Sequence, residues 1–101
     1  MTDTHKPSLV RSAPYTTEDG SFSHPLNPNS EVHIRSLSDA TGLQRVGVHI
    51  TRVPPGKESF AYHMHYTEEE FIYILSGRGI AEIGGEEHEV GPGDFMGFPT
   101  P

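Results

Sequence analysis

From Glu31 onward the chain is built from short runs of β-branched and aromatic residues: EVHIRSL, VGVHITRV, FIYIL, IAEI and DFMGF. Between them stand SDATG, PPGK, SGRG, GGEE and GPG, rich in residues that favour turns. Turn signals recurring every 8 to 12 residues or so predict an all-β sandwich or barrel. No window carries apolar residues at the helical spacing i, i+3, i+4, i+7. In RVGVHITRV, Val46, Val48 and Ile50 fall on one face and Gly47, His49 and Thr51 on the other, the alternation of a half-buried strand. EFIYIL is apolar on both faces, with Phe71, Tyr73 and Leu75 opposing Ile72 and Ile74, which predicts an interior strand. Gly84-Gly85 predicts a tight hairpin. Residues 1–30 hold Pro7, Pro14, Pro25 and Pro28 among Ser, Thr and Asn without a sustained apolar period, so they predict an irregular N-terminal arm ahead of a β domain over 31–101.

Composition narrows the functional classes. A chain of 101 residues with 33% hydrophobic content fits one small domain with a modest core. Without cysteine there is no disulfide framework and no thiolate ligand, so any metal must be held by His, Asp or Glu. No apolar run approaches the roughly 18 residues of a membrane span, and the N-terminus lacks the apolar stretch of a secretory signal, so a cytoplasmic address is expected. The net charge of −7 is unevenly placed: Glu58 to Asp94 holds nine acids and one base, Arg78. Nucleic acid is therefore excluded as a partner, because a phosphate-tracking surface needs clustered Lys and Arg.

The chemistry concentrates in PPGKESFAYHMHYTEEEFIYILSGRG, residues 54–79. His63 and His65 on one strand would send both imidazoles from the same face. Glu70 opens the next run after the short connection 66–69, so a hairpin can bring its carboxylate beside the two rings. Two imidazoles and a carboxylate on one side of a cation suit Fe(II), Mn(II), Ni(II) or Zn(II) and leave positions open for substrate or water.

These residues resemble the first motif of the cupin superfamily: Gly, a spacer, His-x-His, a spacer of three or four, Glu, six residues, Gly. Here they read Gly56, His63-Met64-His65, four residues, Glu70, six residues and Gly77, with six residues between Gly56 and His63 where five are usual. The resemblance implies a double-stranded β-helix, or jelly-roll barrel, with His63, His65 and Glu70 as metal ligands pointing into it. Glu69 is the alternative carboxylate if the spacer is three; Glu70 is preferred because Gly77 then falls in register. The second motif opens at GDFMGFPT, with Gly93 and Pro99 in place, and the position of its histidine lies past Pro101. The barrel is thus expected to be incomplete at its C-terminus. Unpaired strand edges template association, which favours a shortened form of a longer cupin and also predicts a homodimer through strand edges or the N-terminal arm.

The remaining candidates have plainer readings. His49 is a possible substitute ligand, although a packed or exposed imidazole fits ordinary burial tendencies better. His88 is expected at the solvated start of a strand, while His5, His24 and His33 carry no pattern. Glu68 and Glu69 read as a hydrated acidic rim. Phe60, Tyr62, Tyr66, Phe71 and Tyr73 are expected in the core or barrel wall. Arg45, Arg52, Lys57 and Arg78 read as surface cations, and Gly56, Gly77, Gly79, Gly91 and Gly93 as turn positions of positive φ. What the resemblance implies for function is a metal-dependent enzyme acting on a small molecule, of the kind often described as sugar-phosphate isomerase-like, in which the metal polarises a carbonyl or enediol oxygen while a carboxylate or Tyr moves a proton. The same ligands suit an Fe(II) dioxygenase. A non-catalytic module that senses or binds a small ligand, or an oligomerising scaffold, stands as the alternative class.

Overall fold

The computed structural model describes residues 5–12, 18–59 and 67–100. It divides into two compact units, Met1–Tyr62 and His63–Pro101. In the first, strands β1 (Gly20–Phe22), β2 (Val32–Ser36) and β3 (His49–Arg52) form an antiparallel sheet in the order β1-β2-β3. Val32 and Ser36 are buried while His33, Ile34 and Arg35 are half-buried. Among the described residues Val32 is the one apolar side chain with no exposed surface. The PPG turn closes beside the chain entering β2: the Glu31 amide donates to the Glu58 carbonyl (3.0 Å), and Ser30 Oγ donates to the Ser59 carbonyl (2.7 Å) while accepting from the His24 amide (3.1 Å). Ser30 is buried, so these bonds replace the water it has lost.

Two features here differ from the sequence expectation. The segment read as an irregular arm contributes β1, whose three residues pair with Ile34, His33 and Val32. Its strand character comes from a neighbouring ladder, not from its own composition, as is common for edge strands. SDATG, read as a turn, lies partly in a five-residue helix, α1 (Leu37–Thr41). Ser36 caps it, its Oγ accepting from the Asp39 amide at 3.1 Å, and Gly42 ends it at φ 80°. So short a helix does not persist alone; the Leu37 amide donates to the Val48 carbonyl (2.8 Å) and Ser38 Oγ accepts from the Val48 amide (3.0 Å), which tie it to the chain entering β3.

The second unit contains two antiparallel pairs. Strand β4 (Glu70–Tyr73) pairs with β7 (Phe95–Phe98), and β5 (Gly79–Ile83) pairs with β6 (Glu86–Val90). The β5–β6 connection is the expected tight hairpin, with Gly84 at φ 60° and Gly85 at φ 81°, the signs required by a type I′ turn. Gly79 and Gly91, expected at positive φ, are not there. Gly79 is a strand residue, and Gly91 is buried because the Arg78 guanidinium lies where a side chain would be, 2.8 Å from the position of an added Cβ. The expectation that EFIYIL is interior is also corrected: Phe71, Ile72, Tyr73 and Leu75 are exposed. A two-stranded ribbon cannot cover both of its own faces.

Register in the hairpin places Glu82 directly opposite Glu87, with Ile80 opposite Glu89. Facing like charges destabilise a strand pair, and a favourable pair contributes about 0.2–1 kcal/mol. Glu87→Lys should therefore raise the thermal midpoint by a few degrees in low salt and by less in high salt. A midpoint unchanged in both would show that these carboxylates do not feel each other. Among the described residues no helix is long and apolar enough to cross a membrane.

Candidate functional site

Glu70 is the first residue of β4 and stands opposite Phe98 of β7. Opposed residues of an antiparallel pair project from one face, so Glu70 shares its face with Ile72, Met96 and Phe98. The neighbouring Glu69 precedes the strand. His63 and His65, the other two candidate ligands, lie outside the described residues, as do Phe60, Tyr62 and Tyr66. Among the described residues no group of three His, Asp or Glu side chains is placed to hold a metal ion.

Beside Glu70 is an open cavity of about 350 Å³ lined by Glu69, Glu70, Phe71, Phe95, Gly97, Phe98 and Pro99. Its walls come from the two segments singled out in the sequence, the acidic run before β4 and the GDFMGFP stretch. Backbone bonds hold these segments together beyond the strands: the Ile74 amide donates to the Asp94 carbonyl (3.0 Å) and the Gly93 amide to the Ile74 carbonyl (2.9 Å). Asp94 then fixes the GPGD turn, its carboxylate accepting from the Gly91 amide at 2.7 Å. The cavity therefore combines two carboxylates with a wall of Phe and Pro. Such a surface can accept hydrogen bonds from hydroxyls and pack against carbon.

Other histidines are placed plainly. His49 is exposed on β3 opposite Ser36. His88 lies on β6, half-exposed, with Nε2 3.8 Å from a Glu86 carboxylate oxygen. His33, which carries no sequence motif, is the most engaged: Nε2 is 2.8 Å from Glu31 Oε2 and Nδ1 is 2.8 Å from Glu18 Oε2. The available signal was Glu31-x-His33, a spacing of two at the start of a strand. The hydrogen bond with His33 lowers the Glu31 carboxyl below its ordinary value of 4.5, with further attraction from His33, Lys57 and Arg52 and opposition from desolvation. A lowered acid stabilises the fold at pH above its ordinary value, and that contribution is lost as pH falls through the folded value. The melting temperature of Glu31→Gln should accordingly fall below that of the unmodified chain at pH 7, and the gap should close by pH 3. A gap of equal size at both would assign the loss to packing.

Comparison with known proteins gives a consistent result. Residues 49–100 match the Cupin domain family. An uncharacterized protein of Methanocaldococcus jannaschii is 38% identical over 88 residues, covering 85% of this chain and 61% of that protein. Among solved structures, the "Putative sugar phosphate isomerase" of Acidithiobacillus ferrooxidans superposes with a TM-score of 0.83 at 40% identity, over 91% of this chain and 60% of that one. The chain thus spans about three fifths of the length of each.

Proposed function

The chain belongs to the cupin family, with the all-β fold expected of it, and from that premise we propose that it binds a divalent metal through His63, His65 and Glu70 and acts on a small polar molecule as a sugar isomerase-type enzyme. The observation that carries this reading is the register of β4 against β7, which sets Glu70 beside the segment that opens the second motif. The donor set suits the group: two neutral imidazoles and one carboxylate match Zn(II), Fe(II), Mn(II) or Ni(II). When bound, such an ion supplies Lewis acidity toward a substrate oxygen.

The chain's own side chains account for the rest. Phe71, Phe95, Phe98 and Pro99 line the cavity and pack against the carbon face of the molecule. Glu69, in the same cavity, accepts a hydrogen bond from a hydroxyl and is positioned to carry a proton between adjacent carbons. Glu68, Glu69 and Glu70 repel a phosphate, so a phosphorylated substrate would enter with that group directed away from them. The name given to the Acidithiobacillus protein supports this reaction class.

The test is elemental analysis of the chain after reconstitution with each of the four ions, followed by NMR of aldose and ketose phosphates incubated with the loaded protein. Stoichiometric metal and interconversion of one such pair are expected. Failure to retain any of the ions would replace the enzyme reading with that of a metal-free small-ligand binder.

A further inference from the structure

The His33 imidazole, 17% exposed on the central strand β2, has a carboxylate oxygen at each ring nitrogen. Glu31 Oε2 lies 2.8 Å from Nε2 and Glu18 Oε2 lies 2.8 Å from Nδ1. Nδ1 is itself closed to solvent. The two nitrogens point in different directions, so the carboxylates cannot share one cation, and these residues form no metal cluster. They hold a proton instead. An imidazolium presents an N–H to both carboxylates, whereas a neutral ring keeps one N–H and turns a lone pair toward the other oxygen. At 2.8 Å that second contact becomes repulsive.

We propose that Glu18, His33 and Glu31 form a proton-operated latch on the segment that leads into β1, closed on the imidazolium and open on the neutral ring. Other charges near the ring come from every element around it. Arg52 stands opposite His33 on β3, Arg35 shares its face two residues along β2, and Lys57 in the turn after β3 attracts Glu31. On the β1 side the Asp19 carboxylate accepts from the Ser36 amide at 2.7 Å. Of these residue types, histidine alone changes charge between about pH 5 and 8. The closed form holds one more proton than the open form, so a rise in pH opens the latch.

The two carboxylates are unequally tied. Glu31 is two residues from His33, and its amide donates to the Glu58 carbonyl (3.0 Å), which keeps it beside the ring. Glu18 reaches His33 across fifteen residues of chain and is 41% exposed, so it can turn to water. Loss of the Nδ1 proton therefore leaves Nε2–H on Glu31 and releases Glu18. The next residues are Asp19 and β1, an edge strand of three residues whose side chains are all exposed. Beyond its ladder, this edge is held by Asp19, whose amide donates to the Ile34 carbonyl at 2.7 Å and whose carboxylate takes the Ser36 amide. With little apolar burial, one charge contact is a large share of what fixes the edge. As the latch opens, β1 frays and the outer backbone edge of β2 becomes available to another strand. The device lies within the first unit and does not depend on the metal reading.

The test is amide exchange in β1 of the full chain, measured by NMR at about pH 5.5 and 8.5 and corrected for the intrinsic pH dependence of exchange. Protection should be about fivefold greater at the lower pH, the upper end for a part-exposed ion pair. The ¹⁵N shifts of the His33 ring should report the imidazolium at the lower pH and the Nε2–H tautomer at the higher. Glu18→Ala should give the weakly protected state at both pH values, and His33→Gln should remove the pH dependence. His24 flanks β1 on its other side, with its ring centroid 6.4 Å from that of Phe22; His24→Gln should leave the pH dependence in place. Circular dichroism identifies a variant that fails to fold, and Glu18→Ala, at a part-exposed position, decides if His33→Gln is lost in this way. Equal protection at both pH values in the unmodified chain would overturn the latch. So would a pH dependence that survives Glu18→Ala, one abolished by His24→Gln, or a high-pH ring protonated at Nδ1.

Discussion

Replacing His63 and His65 together with alanine is expected to leave the purified, reconstituted chain without bound divalent metal. Neutral imidazole supplies two of the three proposed donors, and the sequence has no cysteine to substitute for them. Loss of even an outer-shell partner typically costs about 10- to 100-fold in metal affinity, so each single His→Ala change should cost at least that much. The carboxylate is separable by the same assay. Glu70 heads β4, opposite Phe98, whereas Glu69 lies ahead of the strand. Glu70→Gln should therefore reduce affinity at least as far as a single histidine variant, and Glu69→Gln should preserve metal while impairing turnover. Reversal of those two results would move the ligand to Glu69. Unchanged metal content in the double histidine variant would remove the proposed centre altogether. Equilibrium dialysis with Zn(II) and Mn(II), read by elemental analysis, distinguishes these outcomes without requiring the substrate.

Much of this arrangement is legible in the sequence because strand signals and turn signals are local. Gly84-Gly85 specifies its hairpin through backbone freedom at two adjacent residues, whereas the pairing of the run from Glu70 with the GDFMGFP stretch joins segments distant in sequence and has no local signal. What escapes are features whose cause is non-local or too short for a periodicity. Helix α1 has five residues, less than two turns, so its signal is confined to Ser36-x-x-Asp39 and Gly42. Strand β1 exists because β2 offers it a ladder. The exposure of β4 defeats the rule that a strand apolar on both faces is interior, since the rule reports that both faces can be covered and leaves open by what. His33 meets Glu18 across a separation of fifteen residues, beyond the reach of any local motif. The site shows the same division. The Glu70 position follows from motif spacing and agrees with its place at the head of a strand. His63 and His65 lie outside the described residues, and the cavity wall of Phe95, Phe98 and Pro99 emerges only from strand pairing.

Val32→Ala should be among the most destabilising single changes in the first unit. Val32 has no exposed surface and sits on the central strand of its sheet, between Phe22 of β1 and the chain leaving β3. Truncation removes two buried carbons, worth about 0.8 kcal/mol each in transfer, and leaves a cavity that a sheet hydrogen-bonded on both sides of β2 cannot readily close. Transfer and cavity together give a loss on the order of 2–3 kcal/mol. A domain of this size shifts its midpoint by about 4–8 °C per kcal/mol, so thermal denaturation should move downward by roughly 10 °C or more. The contrast is Ile34→Ala on the same strand: its side chain is half-buried and part of the space it vacates opens to water, so the loss should be smaller. Because the other buried side chains described in this unit are serines already paired by hydrogen bonds, few apolar contacts remain to compensate. A Val32→Ala midpoint within about 2 °C of the unmodified chain would mean that this sheet's stability resides in its ladder and polar ties, with little owed to apolar burial.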